Sequence, residues 1–144
     1  MGNRWTLTRD AGDRVERITD PVDGLTSFSY DGSNMIRRIQ DASGRITSCT
    51  VDGNSDLTQR TGPDLCVTEF RYDANHRMTA WIDPDGGRTS FTFDSSRRLT
   101  QVLSSDGTRT TYSYLTGDRT VVKTGGERLT LVFGSDETLR SVDD

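Results

Sequence analysis

The stretch that decides the fold reads DANHRMTAWIDPDGGRTSFTF and occupies residues 73–93. It opens with a turn-like segment, DANH, and continues through a short, partly apolar segment that ends at Ile82. The DPDGG sequence at 83–87 predicts a turn, because proline fixes φ and glycine supplies positive φ. Thr89, Phe91 and Phe93 then alternate with smaller polar residues, which is typical of a half-buried strand. The stretch therefore predicts two short strands joined by a turn.

This unit recurs with a period of 21 residues along the chain. An aspartate marks the period at Asp10, Asp31, Asp52, Asp73 and Asp94, with Leu115 at the next position. Two columns of mostly aromatic residues keep the same phase: Phe28, Cys49, Phe70, Phe91 and Tyr112, then Tyr30, Val51, Tyr72, Phe93 and Tyr114. Such self-similarity predicts a repeat array and not an ordinary globule.

We predict one all-β array spanning residues 1–144. Sequential strands usually pair, so the simplest topology is an antiparallel meander of about 12–14 short strands, built from β-hairpins and forming a curled or spiralling sheet. Tight turns such as Asp10–Asp13 close the hairpins, and Pro/Gly turns such as Asp20–Gly24 join them. The predicted divisions are a half repeat 3–9, repeats 10–30, 31–51, 52–72, 73–93, 94–114 and 115–133, and a final half repeat 134–144.

The first strand of each unit is less regular than the second. Apolar residues are three apart there, as in Ile36 and Ile39 or Met78 and Trp81. This spacing is compatible with a turn of helix, but six residues between two turns are too few for a stable helix. A strand with a bulge that re-phases its two faces fits better.

The aromatic columns place a stripe of rings on one face of the predicted sheet. Burying each ring is worth roughly 1.5–3 kcal/mol, so we expect the sheet to curl over its stripe or to dock on more of the same material. The rings have two interpretations. They form a structural ladder of cross-strand pairs, or they form a sugar-stacking face centred on Trp81, Phe91 and Phe93.

Composition and charge exclude several classes of protein. Hydrophobic residues make up 31% of the chain, so a thick two-layer core is not expected. The net charge of −4, with both signs interspersed, argues against a nucleic-acid surface. No apolar run reaches the roughly 18 residues of a membrane span. We expect the arginines to form a solvated, salt-bridged rim: Arg14, Arg37, Arg38, Arg77, Arg97, Arg98 and Arg119.

Few residues suit catalysis or metal binding. His76 is the only histidine and lies in a predicted turn. The run DGNSD at 52–56 begins like a calcium loop, but Leu57 and Pro63 stand where that loop needs Gly and Glu. No Gly-rich phosphate loop follows a strand and opens a helix. We therefore predict no catalytic, cofactor-binding or metal-binding residues and no enzyme activity.

The two cysteines, Cys49 and Cys66, are predicted to be free thiols. Their strands are not direct neighbours in a meander, and the two residues are displaced by roughly 13 Å along the strand direction. A disulfide needs Cα atoms within about 7 Å. Cys49 occupies the aromatic column, so we expect it to act as a small core residue.

The segment FRYDANHRMTAWIDPDG, at residues 70–86, resembles the YD repeat, also called the RHS repeat. The eponymous Tyr-Asp pair stands at Tyr30-Asp31 and Tyr72-Asp73, and the DPVDG turn at 20–24 is similar to the turn of the family. The resemblance covers essentially the whole chain. The pairs that depart from Tyr-Asp are Val51-Asp52, Phe93-Asp94 and Tyr114-Leu115.

The resemblance implies that consecutive hairpins wind into a spiralling β-sheet shell. In bacterial Rhs proteins and Tc toxins such a shell encloses a C-terminal toxic segment, and in teneurins a similar shell is an adhesion module. Some Rhs shells cut themselves with paired aspartates in Asp-Pro motifs. Asp20-Pro21 and Asp83-Pro84 lie three repeats apart here, so we interpret both as turns.

The resemblance also implies a function and partners. The chain is interpreted as a non-enzymatic, encapsulating shell segment whose partners are the remainder of a longer Rhs-type shell, its toxin cargo, or a second copy paired edge to edge. The alternatives are a carbohydrate- or cell-surface-binding module and a self-associating or shell-associating accessory protein. Synthesis in a bacterial cytoplasm is expected, with export as part of a larger toxin, because residues 1–10 show no signal peptide.

Overall fold

The computed structural model describes residues 4–134, 136 and 138–143, and these residues form fourteen β-strands and no helix. The all-β class is therefore confirmed. The strands are β1 (Thr6–Arg9), β2 (Val15–Thr19), β3 (Leu25–Tyr30), β4 (Ile36–Gln40), β5 (Ile46–Val51), β6 (Leu57–Thr61), β7 (Val67–Tyr72), β8 (Met78–Ile82), β9 (Arg88–Phe93), β10 (Leu99–Leu103), β11 (Arg109–Leu115), β12 (Arg119–Thr124), β13 (Glu127–Phe133) and β14 (Leu139–Asp143).

The chain divides into two compact units, Met1–Phe70 and Arg71–Asp144. In the first unit each strand from β1 to β6 pairs antiparallel with the strand that follows it. In the second unit the same rule holds from β8 to β13. The predicted meander is confirmed.

The two kinds of turn expected from the sequence share one geometry. In the turn that Asp10 opens, the Asp10 amide donates to the Arg14 carbonyl at 2.9 Å and the Asp13 amide donates to the Asp10 carbonyl at 3.0 Å. The Pro/Gly turn that Asp20 opens has the same two bonds, at 2.9 and 3.1 Å. The fourth residue is left-handed in both turns, with φ of 62° at Asp13 and 64° at Asp23. The opening aspartate and the left-handed fourth residue therefore define the turn, and proline is not required for it.

A β-bulge follows the turns opened by Asp10, Asp31, Asp52 and Asp94, as the three-residue apolar spacing predicts. Tyr30 lies opposite Ile36, but Ser29 lies opposite Arg38, so Arg37 is an extra residue on β4. Equivalent register shifts occur in the β1–β2, β5–β6, β9–β10 and β13–β14 pairs. Because of this extra residue, Ile36 and Ile39 both lie on the face of the sheet that carries the rings, although they are three residues apart. The predicted bulge is confirmed.

The interior of the sheet is thin. The enclosed side chains in the described part of the chain are Ala80, Val121 and Thr68, and the aromatic columns are half-buried. Trp5 and Leu7 fall in the inward columns by sequence, yet they are 61% and 55% exposed, because β1 ends the strand order and pairs only with β2. Stability must then come largely from strand pairing and from contacts between neighbouring side chains.

The last full repeat departs from the rest of the array. β11 and β12 pair without a register shift, and Leu115 lies directly opposite Arg119. β12 and β13 are joined by Gly125 and Gly126, both at positive φ, which is the glycine preference of a two-residue hairpin turn. Two shortened turns account for the two residues that this repeat lacks.

Candidate functional surface

In many of the turns an aspartate organises the backbone through one carboxylate oxygen. Oδ1 of Asp10 accepts hydrogen bonds from the amides of Gly12 at 2.8 Å and Arg14 at 3.0 Å. Asp31, Asp41, Asp52, Asp73 and Asp83 make the same pair of bonds to the second and fourth residues after them. Bonds from amides favour the ionised carboxylate, and at Asp31 the bond from Met35 is the largest cause of a lowered pKa.

The second carboxylate oxygen holds an arginine in several of these turns. Arg14 donates from Nε to Oδ2 of Asp10 at 2.8 Å, and its Nη2 lies 2.7 Å from the same oxygen. The pairs Arg77–Asp73 and Arg98–Asp94 have the same form, and in the pair Arg45–Asp41 Nε donates to Oδ2 at 2.7 Å. The arginine side chain is the largest cause of the lowered pKa of Asp10, Asp41 and Asp73.

Three of these arginines also lie over an aromatic ring of the following hairpin. The guanidinium carbon is 4.6 Å from the Tyr30 ring centre for Arg14 and 4.4 Å from the Tyr114 ring centre for Arg98. The same distance is 5.1 Å for Arg77 over Phe93. A guanidinium within about 6 Å of a ring face is attracted by the ring quadrupole. We call this arrangement the Asp–Arg–ring motif: Asp10–Arg14–Tyr30, Asp73–Arg77–Phe93 and Asp94–Arg98–Tyr114.

The motif also reaches the next turn and the strand below the ring. Nη1 of Arg14 donates to Oδ1 of Asn34 at 2.8 Å, and Nη1 of Arg77 donates to the carbonyl of Asp94 at 3.3 Å. The Tyr114 hydroxyl donates to the carbonyl of Leu99 at 2.7 Å. Burial raises the pKa of Tyr114. Each motif therefore ties a turn, a ring and a neighbouring backbone together.

Residues 72–109 match the family described as RHS Repeat. This part of the chain is similar to RHS repeats. The match begins at Tyr72, next to the aspartate of one Asp–Arg–ring motif, and includes the first two residues of the next motif, Asp94 and Arg98. No curated protein gives a significant match.

Solved structures share the fold of this chain. A crystal structure of TcdB2-TccC3 superposes with a TM-score of 0.77 at 13% identity, over 96% of this chain and 9% of that one. A TcdB2-TccC3-Cdc42 crystal structure gives 0.59 at 16%, over 93% and 9%. The Tc holotoxin pore of Photorhabdus luminescens gives 0.57 at 16%, over 92% and 9%. The chain thus spans about a tenth of the length of these proteins.

The fold brings the three predicted stacking residues to one face of β8 and β9. Trp81 lies opposite Thr89, and Phe91 and Phe93 follow at intervals of two residues on the same strand. Trp81 is 44% exposed, whereas Phe91 and Phe93 are half-buried. Arg77 already lies over the Phe93 ring. Of these three rings, Trp81 is therefore the most open to a ligand, and sugar stacking stays a prediction.

The arginine rim was only partly predicted by the sequence. Arg14, Arg77 and Arg98 form the expected ion pairs, but their stacking on rings was missed. A partial signal was present: Arg14, Arg77 and Arg98 each have Tyr or Phe sixteen residues later, whereas Met35 has Val51. The repeat of Asp52 departs from this pattern, because Asp56 is followed by Tyr72.

Other sequence candidates lie in turns. His76 is the left-handed residue of its turn, with φ of 60°. Within residues 4–134, 136 and 138–143, no three metal-ligating side chains of His, Cys, Asp or Glu cluster together. Cys49 and Cys66 are free thiols, as predicted, and Cys49 is half-buried. In the same described ranges no helix has the length and apolar character needed to cross a membrane.

Proposed function

We propose that this RHS-repeat chain is a non-enzymatic wall segment of a shell, built to enclose or scaffold other material. The single observation that carries the proposal is the recurrence of the Asp–Arg–ring motif, which joins one hairpin to the next by the same contacts at three places along the array. Such contacts are distributed along the array and are not concentrated in one cleft. We propose that residues 1–144 act as one array with the repeat divisions given above.

Several features support a structural role for the rings. Tyr30 and Tyr114 each use their hydroxyl on a neighbouring backbone carbonyl, and each ring carries a guanidinium on its face. Groups committed to contacts of this kind hold strands in register. The likeness to part of TcdB2-TccC3 supports a wall-like use of the same fold.

A graft tests this proposal directly. The stretch of TcdB2-TccC3 that superposes on this chain would be replaced by residues 4–143, and the purified product would be imaged and treated with protease. We expect a closed particle whose enclosed segment resists digestion. A particle that folds at the graft but leaves its contents open to protease would contradict the proposal.

A matched variant shows whether the wall depends on the motif. Arg98→Gln in the graft removes both the ion pair with Asp94 and the contact with Tyr114. We expect a particle that digests faster at this position. Arg128→Gln removes the same charge from β13, opposite Lys123, and should leave protection unchanged.

The exposed ring of Trp81 supports a second candidate function, which is carbohydrate or cell-surface binding. Stacking of a sugar on an open indole face suits a residue that is 44% exposed. Binding on a glycan array that Trp81→Ala abolishes would favour this function, and an array with no bound sugar would exclude it.

The end strands support a third candidate, which is association with a second copy or with a longer Rhs-type shell. Leu7 on β1 and both Leu139 and Val142 on β14 are more than half exposed, and these strands stand at the two ends of the strand order. Unpaired strand edges are templates for added strands. A mass that rises with concentration in light scattering would favour this function, and a constant monomer mass would contradict it.

The remaining partners and the cellular location belong to the same proposal. We propose a toxin segment as the enclosed cargo, synthesis in a bacterial cytoplasm, and export as part of a larger toxin. Co-purification of the native full-length product with a protease-protected segment would support this proposal. The absence of such a segment would contradict a toxin cargo.

A further inference from the structure

An apolar cleft of about 470 Å³ opens on the ring side of the first unit. Its walls include Met35 and Ile36 at the start of β4, Cys49 and Val51 on β5, and Leu57 on β6. Cavities of this size accept small molecules of one or two rings. Of its eight lining residues only Asn34, Tyr30 and the Cys49 thiol bring a side-chain polar atom.

The cleft lies where one Asp–Arg–ring motif is missing. Asp31 keeps its place in the turn, but Met35 stands where Arg14, Arg77 and Arg98 stand in three other repeats. Val51 stands where those three repeats carry Tyr30, Phe93 and Tyr114, and Cys49 replaces a ring of the other aromatic column. All three substituted side chains line this one cleft.

The intact motifs show what fits such a space. The Tyr30 hydroxyl donates to the carbonyl of Val15 at 2.7 Å, and the Tyr114 hydroxyl donates to the carbonyl of Leu99 at 2.7 Å. In both cases the acceptor is fifteen residues before the tyrosine. The residue fifteen positions before Val51 is Ile36, which lines the cleft and receives no tyrosine hydroxyl from position 51.

We infer that this cleft binds a small phenolic molecule, whose ring fills the space left at Val51 and whose hydroxyl donates to the Ile36 carbonyl. Met35 replaces the guanidinium over the ring, and a polarisable thioether is itself a favourable neighbour of an aromatic face. The absence of an arginine here matches a neutral ligand. The Leu57 side chain, directly opposite Val51, closes the side of the cleft on β6.

The test uses the whole chain and 4-methylphenol, the side chain of tyrosine as a free molecule. Amide shifts would be followed by NMR during titration, with toluene as the probe that lacks the hydroxyl. We expect saturable shifts at Met35, Ile36 and Cys49, and about fivefold tighter binding of the phenol than of toluene, the worth of one hydrogen bond. Bound phenol should also slow alkylation of Cys49 while the exposed Cys66 reacts as before.

Two variants fill the cleft from within. Val51→Tyr supplies the missing ring and hydroxyl, and Cys49→Phe supplies the ring of the other column, so each should abolish binding. Val22→Tyr adds the same side chain at a turn position that is 84% exposed, and it should bind the phenol as the parent chain does. If Val51→Tyr does not fold, Cys49→Phe still tests whether filling the cleft abolishes binding.

Three results would overturn the inference. The first is the absence of a saturable shift up to the solubility limit of the phenol. The second is equal affinity for toluene and 4-methylphenol, which would show that the phenol hydroxyl makes no hydrogen bond to the Ile36 carbonyl. The third is undiminished binding by both folded, cleft-filled variants, which places the ligand elsewhere.

Discussion

The hydroxyl of Tyr30 donates a 2.7 Å hydrogen bond to the main-chain carbonyl of Val15, across the pair of strands β2 and β3. The ring thus does more than cover apolar surface, because its polar end fixes the position of a neighbouring strand. The tyrosine of the Tyr-Asp pair has this role, and the aspartate beside it organises the next turn.

Phe93→Tyr should stabilise the second unit. Phe93 occupies the position of Tyr30 and Tyr114, and the carbonyl fifteen residues earlier belongs to Met78. A hydroxyl at this place gains one hydrogen bond, worth about 1 kcal/mol in the free energy of unfolding. Chemical denaturation measures the change. Tyr114→Phe should lose a similar amount, and a gain in that variant would contradict the role assigned to the hydroxyl.

Arg98→Lys should destabilise the chain by about 1 kcal/mol, although it keeps the charge. Lysine cannot reproduce the planar contact with the Tyr114 ring while also bonding Asp94. A double-mutant cycle between positions 98 and 114, read by urea denaturation, should give a coupling energy. Additive effects of the two changes would show that the stacking contributes nothing.

Acid should weaken the fold through its turn aspartates. Hydrogen bonds from Arg77 and from backbone amides lower the pKa of Asp73 below its ordinary value of 3.8, and other turn aspartates are shifted in the same direction. Because the folded-state pKa is the lower one, the stabilisation is fully present above 3.8 and is lost as the pH falls through the folded value.

Denaturation midpoints measured in steps below pH 3.8 check this expectation. Asp73→Asn should flatten the pH dependence, whereas Asp85→Asn, at an exposed position in the DPDGG turn, should leave it as in the parent chain. Equal slopes for these two variants would contradict the assignment.

Gly86→Ala should destabilise the chain by roughly 1–2 kcal/mol. Gly86 has a φ of 85°, and a Cβ built on it meets nothing within 4 Å, so the cost comes from the backbone alone. Gly53→Ala is the matched control, because its Cβ also meets nothing and its φ is not positive. Thermal unfolding should separate the two variants, and equal melting temperatures would show that the left-handed position carries no strain.

Most of the fold could be predicted from the sequence, because each sequence feature recurs in several repeats. Alternation in the TSFTF segment at 89–93 predicts β9, and the spacing of Ile36 and Ile39 predicts a bulge that the register confirms. The common geometry of the two turn kinds was not predicted, because the sequences DAGDR at 10–14 and DPVDG at 20–24 share only the aspartates at their first and fourth positions.

The candidate surface was less predictable than the fold. Charge patterns alone place Arg14 in an ion pair with Asp10, but its contact with Tyr30 depends on how two strands and a turn are arranged in space. The exposure of Trp5 was also missed. Its place in an inward column predicts the face of the sheet on which it lies, but not whether another strand covers it. The period of the sequence predicts the direction of a side chain, whereas its burial depends on the strands beside it.

The longest-range side-chain hydrogen bond described above joins Arg14 to Asn34, which are only twenty residues apart. Sandwiches and barrels of strands fold slowly because they must first close long loops between distant segments. Within each unit the paired strands are neighbours in the sequence, so loop closure costs little entropy and ordering can start at any hairpin and spread to both sides. An all-β protein of this design should therefore acquire its structure at rates more usual for helical bundles.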